Sequence, residues 1–115
     1  MAFNDIERKK IENALVAYLT KMRPPLNIRA QLDYGYKLSE QSVELVEIRP
    51  QWDDPSIIHE HPFAKATYVK RQNYWKVYWQ RADLKWYSYE PAPTVPSIEK
   101  FLVVVEADKY ACFFG

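Results

Sequence analysis

Two stretches of this chain hold side chains whose types and spacing could do chemistry. The first, "WDDPSIIHEHP" at residues 52–62, gathers Asp53, Asp54, His59, Glu60 and His61 into a short segment. Two carboxylates and two imidazoles are a donor set for a hard or borderline divalent cation, with Asp53, Asp54, His59 and His61 as its ligands. On that reading the protein binds a metal or is a small metal-assisted hydrolase. The spacing matches no established zinc or calcium pattern, and Asp54 ahead of Pro55 is equally ordinary turn chemistry, its carboxylate bonding its own backbone. No nucleophile with a positioned base can be picked out, so the sequence leans away from an enzyme.

The second stretch, "YWKVYWQRADLKWYSYEP" at residues 74–91, sets seven aromatic rings among Lys76, Arg81 and Lys85. Rings that stack on bases and cations that follow phosphates make a platform for single-stranded nucleic acid. Tyr and Lys are also ordinary residues for the wet face of an antiparallel sheet, so the assignment of faces matters. On a strand, Trp75, Val77 and Trp79 project to one side, and Tyr74, Lys76, Tyr78 and Gln80 to the other. If the short Ala82-Asp83 connection preserves this parity, Leu84 and Trp86 join the apolar face and Lys85, Tyr87 and Tyr89 the polar one. The candidate binding set for nucleic acid or another anionic partner is then Lys65, Lys70, Arg71, Lys76, Tyr78, Arg81, Lys85 and Tyr87. Arg81, Asp83 and Lys85 share a parity; they would form an ion-pair ladder, or Asp83 would hold Arg81 as an anion receptor.

The elements that position these groups follow from periodicity. Ile11, Ala14, Leu15, Tyr18, Leu19 and Met22 recur at steps of three and four and predict a helix over 4–22. Asn4 and Glu7 form its capping box, and Arg23-Pro24-Pro25 ends it. Alternation from Ile28 to Leu38 predicts a half-buried strand, and Val43 to Arg49 a second strand in a hairpin with it. Val43 and Leu45 face one way, Val46 and Ile48 the other, which calls for a bulge or for cover on both sides. Residues 50–62 read as an irregular loop. Strands are expected at about 64–70, 75–81 and 84–89, the first two joined by a turn at Arg71-Gln72-Asn73. "PAPTVPS" is a rigid connector to a last helix capped by Ser97, with Ile98, Phe101, Leu102 and Val105 on one face. The run Val103-Val104-Val105 argues for strand, but the charges in "IEKF" and "VEADKY" favour helix.

Composition sets the outer limits. A chain of 115 residues with 48% hydrophobic and 27% charged residues is expected to be one globular domain. Sixteen Lys and Arg against fifteen Asp and Glu give no global field, so any electrostatic function is local. Locally the charge is uneven: residues 40–60 hold six acids and one base, and 62–91 six bases and two acids. The single cysteine, Cys112, excludes an internal disulfide and the usual multi-thiolate zinc site, and fits a cytoplasmic setting. No apolar run reaches the roughly 20 residues of a membrane span, and charges at the N-terminus exclude a signal peptide. The apolar end, with Cys112, Phe113 and Phe114, is expected to dock, either on the sheet or on a second subunit as an interaction surface.

At "EIRPQWDDP", "AKATYVK", "YWQRADLKWYSYEPAP" and "CFFG" the chain closely resembles an uncharacterised bacterial family, the domain-of-unknown-function family 3024. The likeness covers nearly the whole length. It implies a small stand-alone bacterial protein and carries over no activity, substrate, cofactor or site residue. The reading is therefore an α+β domain: an N-terminal helix, a mainly antiparallel sheet of about five strands, and a C-terminal helix on the same apolar face. Its expected role is a non-catalytic binding module, without cofactor, acting as monomer or homodimer.

Overall fold

Glu7 donates its backbone N–H to Asn4 Oδ1 at 2.8 Å, and Asn4 returns its own to Glu7 Oε1 at 3.0 Å. This reciprocal cap opens helix α1, Asp5–Met22, in the computed structural model, which describes residues 3–108 and Phe113. Phe3, just ahead of the cap, lies against Tyr68 and Trp75 of the sheet, and so fixes where the helix begins. Ile11, Leu15, Tyr18 and Leu19 are its buried residues, as the spacing predicts. At its far end Arg23 donates from Nε and Nη2 to both Asp33 carboxylate oxygens, at 2.9 and 2.6 Å, and ties the helix to the first strand. The guanidinium, with the Tyr34 amide, holds the Asp33 carboxyl below its usual range.

Strand β1 is Asp33–Leu38, shorter than the alternation from Ile28 suggests. Residues 28–32 instead turn back on themselves: Ile28 N–H and Arg29 N–H bond to Pro25 O, and Gln31 and Leu32 to Ile28 O. The prolines start a tight turn, and the alternating pattern ahead of Asp33 is coincidence, since Leu26 and Ile28 are exposed. Strand β2, Ser42–Gln51, pairs antiparallel with β1 and with β3, Asp54–Val69. Strands β4, Tyr74–Gln80, and β5, Trp86–Ser88, complete the order β1-β2-β3-β4-β5. A sixth, β6, Thr94–Val95, lies in the expected connector and pairs with β4 beside β5. Helix α2, Ile98–Ala107, follows the Ser97 cap and buries the predicted Ile98, Phe101, Leu102 and Val105.

The stretch expected to be a loop is the outer half of the β2–β3 hairpin. Pairing continues through Val46↔Pro62, Ile48↔Glu60 and Pro50↔Ile58, and the register breaks only at the tip, before Gln51↔Asp54. Asp54–Glu60 are exposed, so no half-buried alternation marks this ribbon in the sequence. Its prolines are tolerated because β4 pairs with β3 only from Ala64 onward and leaves the outer edge without a strand neighbour. β2 keeps one alternation, its register with β1 unbroken, so Val46 is buried on the side opposite Val43 and Leu45, and the bulge lies on β3. Leu45 pairs with Ala64 but Val46 with Pro62, so Phe63 is the extra residue. Beyond it the arm continues past the end of β4 for about 20 Å, taking ~3.3 Å per residue.

Both helices cover one side of the sheet, where Val43, Leu45, Ala64, Ala66, Trp75 and Val77 meet Leu15, Phe101 and Val105. The tail returns to this core. Phe113 is buried against Tyr89, with ring centroids 4.8 Å apart, and its N–H bonds to Asp108 Oδ1. Cys112 and Phe114 lie outside the described residues. Among the described residues no helix is long and apolar enough to cross a membrane.

Two outcomes test this packing. Phe113→Ala should lower stability by about 3–5 kcal/mol in a denaturant melt, the usual cost of removing a buried ring. The Arg23–Asp33 pair stabilises the fold while Asp33 is ionised, because its folded pKa is depressed. Asp33→Asn should therefore lower the thermal midpoint at neutral pH. The gap to the parent should close as pH falls through about 3.9 and below the folded pKa. A gap that persists at the acid end would assign the loss to packing rather than to charge.

Candidate functional site

The side of the sheet away from the helices is set by cross-strand partners, which share a face. One row across it reads Lys37, Glu44, Lys65, Tyr78 and Ser88; the next reads Ser42, Thr67, Lys76 and Thr94. A third position pairs Gln80 with Trp86. Lys65 reaches over two rings, its Nζ 6.0 Å from the Tyr78 centroid and 5.7 Å from that of Trp86. Lys76 is exposed, and Tyr74, Tyr78 and Trp86 are half-buried. Towards β1 the same face changes character: Lys37 pairs with Glu60 at 3.2 Å, diagonally across the buried Val46. Gly35, opposite Val46, leaves room for the Ile48 side chain, since a Cβ there would stand 3.2 Å from Ile48 Cδ1.

This geometry differs from the expected face in one respect. Tyr87 pairs with Trp79, on the helix side, and Trp86 takes the outer position expected for Tyr87. Tyr89, also expected outside, is buried in the core, whereas Leu84, expected inside, is exposed. The connection from β4 to β5 is the cause. Leu84 N–H bonds to Arg81 O and Arg81 N–H to Lys85 O, closing a three-residue loop with Leu84 at φ 64°. A left-handed residue after a tight turn adds one residue to the strand and reverses the parity.

The chain matches, over residues 3–115, the family model described as Domain of unknown function (DUF3024). It belongs to that family. No curated protein and no solved structure matches it. DUF3024 is an uncharacterised bacterial domain family, so the roles of its side chains rest on the chemistry of their positions.

In this DUF3024 fold the remaining candidates disperse. Lys70 is engaged with Glu7 at 3.2 Å, and Arg71 is exposed in the β3–β4 turn. Arg81 lies on the helix side between two rings, its Cζ 4.9 Å from the Tyr87 centroid and 5.5 Å from that of Trp79. Asp83 makes no ion-pair ladder. It accepts the Tyr87 hydroxyl at 2.5 Å and the Lys85 N–H at 3.0 Å. Those bonds hold its carboxyl below the usual range and push the Tyr87 phenol up. Tyr87 is thus fixed as one wall of an exposed guanidinium.

On the arm, His59 and His61 share a side, with rings 5.7 Å apart. His59 Nε2 is 2.9 Å from Gln51 Oε1, Asp53 accepts from Gln51 Nε2, and Asp54 accepts from Ser56 N–H and Oγ. Asp54 thus serves as turn chemistry. Among the described residues no three His, Cys, Asp or Glu side chains come together around a metal position. A groove between α1 and α2, lined by Ala14, Ala17, Tyr18 and Leu102, holds the buried Tyr18 hydroxyl, which has no hydrogen-bond partner among the described residues. Burial raises that phenol's pKa, so it stays neutral.

Sequence reasoning passed over Trp86 as an outer-face ring, and the left-handed turn behind that error is itself testable. A bulky residue with this backbone costs on the order of 1–2 kcal/mol. Leu84→Gly should raise stability by up to about 1 kcal/mol in urea, part of the relief being offset by the freer unfolded chain. A lower midpoint would show that the Leu84 side chain contributes more than its backbone costs.

Proposed function

We propose that the chain is a non-catalytic binding module that holds a single-stranded nucleic acid on the bare face of its sheet. The observation that supports this best is the register that sets Lys65 and Lys76 beside Tyr78 and Trp86 on the side without helices. Each ring offers a π-face that any base can stack on, and each ammonium group a counter-charge for the phosphates between them. Lys65 already lies over both rings, so one cation serves two stacking positions. Tyr74, next to Lys76 along β4, extends the platform by one ring.

The acidic side of the sheet limits the path. Glu44 faces Lys65 from β2 and Glu60 takes Lys37, so a polyanion would run along β4 and β5 rather than across to β1. Arg81 and Tyr87 lie on the helix side and fall outside this platform. With a net charge of only +1 the molecule has little long-range attraction, so affinity comes from a few local contacts. The lone cysteine suits a reducing cytoplasm as the place of action.

Fluorescence anisotropy with short labelled oligonucleotides tests the reading. Binding should appear at low salt and weaken as salt rises, because each lysine that neutralises a phosphate releases a counterion and that release gains less as the salt concentration grows. Tyr78→Ala and Trp86→Ala should each cost roughly 1–3 kcal/mol of affinity. Tyr87→Ala should cost nothing, although the original face assignment would make it equal to Tyr78. Absence of binding at low salt, or equal losses for all three rings, would overturn the proposal.

A further inference from the structure

Two exposed features find no use inside a single copy, and they are chemically matched. At the tip of the arm Trp52 is 92% exposed, the most exposed large apolar side chain described, beside Asp53 and Asp54. At the β4–β5 turn Leu84 is 74% exposed on a backbone that disfavours it, between Arg81 and Lys85. Both Asp carboxylates bond only neutral groups of their own loop, Gln51 and Ser56. Arg81 stacks on Trp79 and Tyr87 and meets no carboxylate within ion-pair distance among the described residues. One site is an aromatic ring with two acids; the other is an aliphatic side chain with two bases and one acid, Asp83, whose carboxylate is taken by the Tyr87 hydroxyl and the Lys85 N–H, so the turn keeps a net positive charge.

We propose that two copies of this chain form a closed two-fold dimer, the Trp52-Asp53-Asp54 tip of each arm seated on the Arg81–Lys85 turn of the other. The topology forbids the contact within one copy. Strands β2 and β4 both run antiparallel to β3, so tip and turn leave the same end of the sheet. The tip stands about 20 Å beyond that end at ~3.3 Å per residue, out of reach of its own turn. A second copy facing that end brings its turn to the tip. Because every copy carries both halves, the contact is made twice about the axis and the assembly closes.

The arms then run past each other, and the exposed Ile57 and Ile58, which alternate across the strand, give each side of the arm an apolar residue to meet its mate. A two-stranded ribbon is marginal alone in water, so an arm that spends its life partnered resolves that weakness too. Trp52 supplies the anchor, and Arg81, its guanidinium already resting near the Trp79 and Tyr87 rings, offers its donors to a carboxylate. This inference goes beyond the nucleic-acid reading and uses none of its four residues.

Sedimentation equilibrium should give twice the chain mass of 13.7 kDa at high micromolar concentration. Asp53→Lys with Asp54→Lys makes tip and turn both basic, and Arg81→Asp with Lys85→Asp makes both acidic. Each double variant alone should be monomeric, and an equimolar mixture should recover the dimer, since each tip then meets a turn of opposite charge. Trp52→Ala, at a fully solvated position that leaves folding intact, should weaken association at least tenfold, and circular dichroism confirms the fold of every variant. A monomeric parent, a double variant that still dimerises, a mixture that stays monomeric, or a Trp52→Ala protein that associates like the parent would each overturn the proposal. So would a mass that keeps growing with concentration, which would mean contacts that do not close.

Discussion

The ladder between β2 and β3 carries one residue in excess, at Phe63, and the rest of the molecule depends on that shift. Before it, β3 alternates so that Glu60 and Pro62 lie on the outer side; after it, Ala64 and Ala66 point into the core. Without the bulge, a strand of 16 residues would carry one alternation throughout, and either the core row or the arm would face the wrong way. The bulge lets a single hairpin be half core and half projection. Phe63 itself packs against the core with Tyr34, so the defect is filled rather than left as a gap.

What the sequence revealed and what it hid divide along the same physical line. Both helices, the capping box and the buried face of β4 were legible, because there one side meets apolar neighbours and the other meets water, whereas β2 buries residues on both sides and its face stayed ambiguous. The arm was not legible, since its two faces are equally solvated and burial imprints no period on "PQWDDPSIIHEHP". Residues 28–32 failed in the opposite way, with an alternation that burial never used. At the β4–β5 connection the strands were found and the face was lost, because parity turned on a single φ angle. Nothing about a Leu announces a left-handed conformation; a Gly or an Asn at position 84 would have signalled the bulge.

Charge follows a comparable division. Several of the charged residues are spent on structure: Glu7 with Lys70, Arg23 with Asp33, Lys37 with Glu60, and Glu47 with Arg49 each join or brace elements. These pairs take two of the six acids of residues 40–60, Glu47 and Glu60, and one of the six bases of residues 62–91, Lys70. The cations left over in the base-rich segment, Lys65, Arg71, Lys76, Arg81 and Lys85, lie on or beside β4, and Lys65 and Arg81 rest on aromatic rings instead of carboxylates. A near-neutral chain therefore keeps a local excess of positive charge on its most aromatic strand.

The two ends of β4 show how unevenly the fold treats equivalent problems. Each end turns through a residue with positive φ, Asn73 at 56° before the strand and Leu84 at 64° after it. At the first, the residue type tolerates the conformation, and the Tyr68 hydroxyl donates to the Asn73 carboxamide oxygen at 3.0 Å. At the second, a bulky aliphatic residue bears the same backbone with its side chain in water. Loop chemistry alone would place Gly or Asn at both ends, as the hairpin geometry favours. At 74% exposure Leu84 has little burial in its own chain to offset that backbone. The strained end is also the one that carries the unpaired Arg81 and faces the same way as the arm.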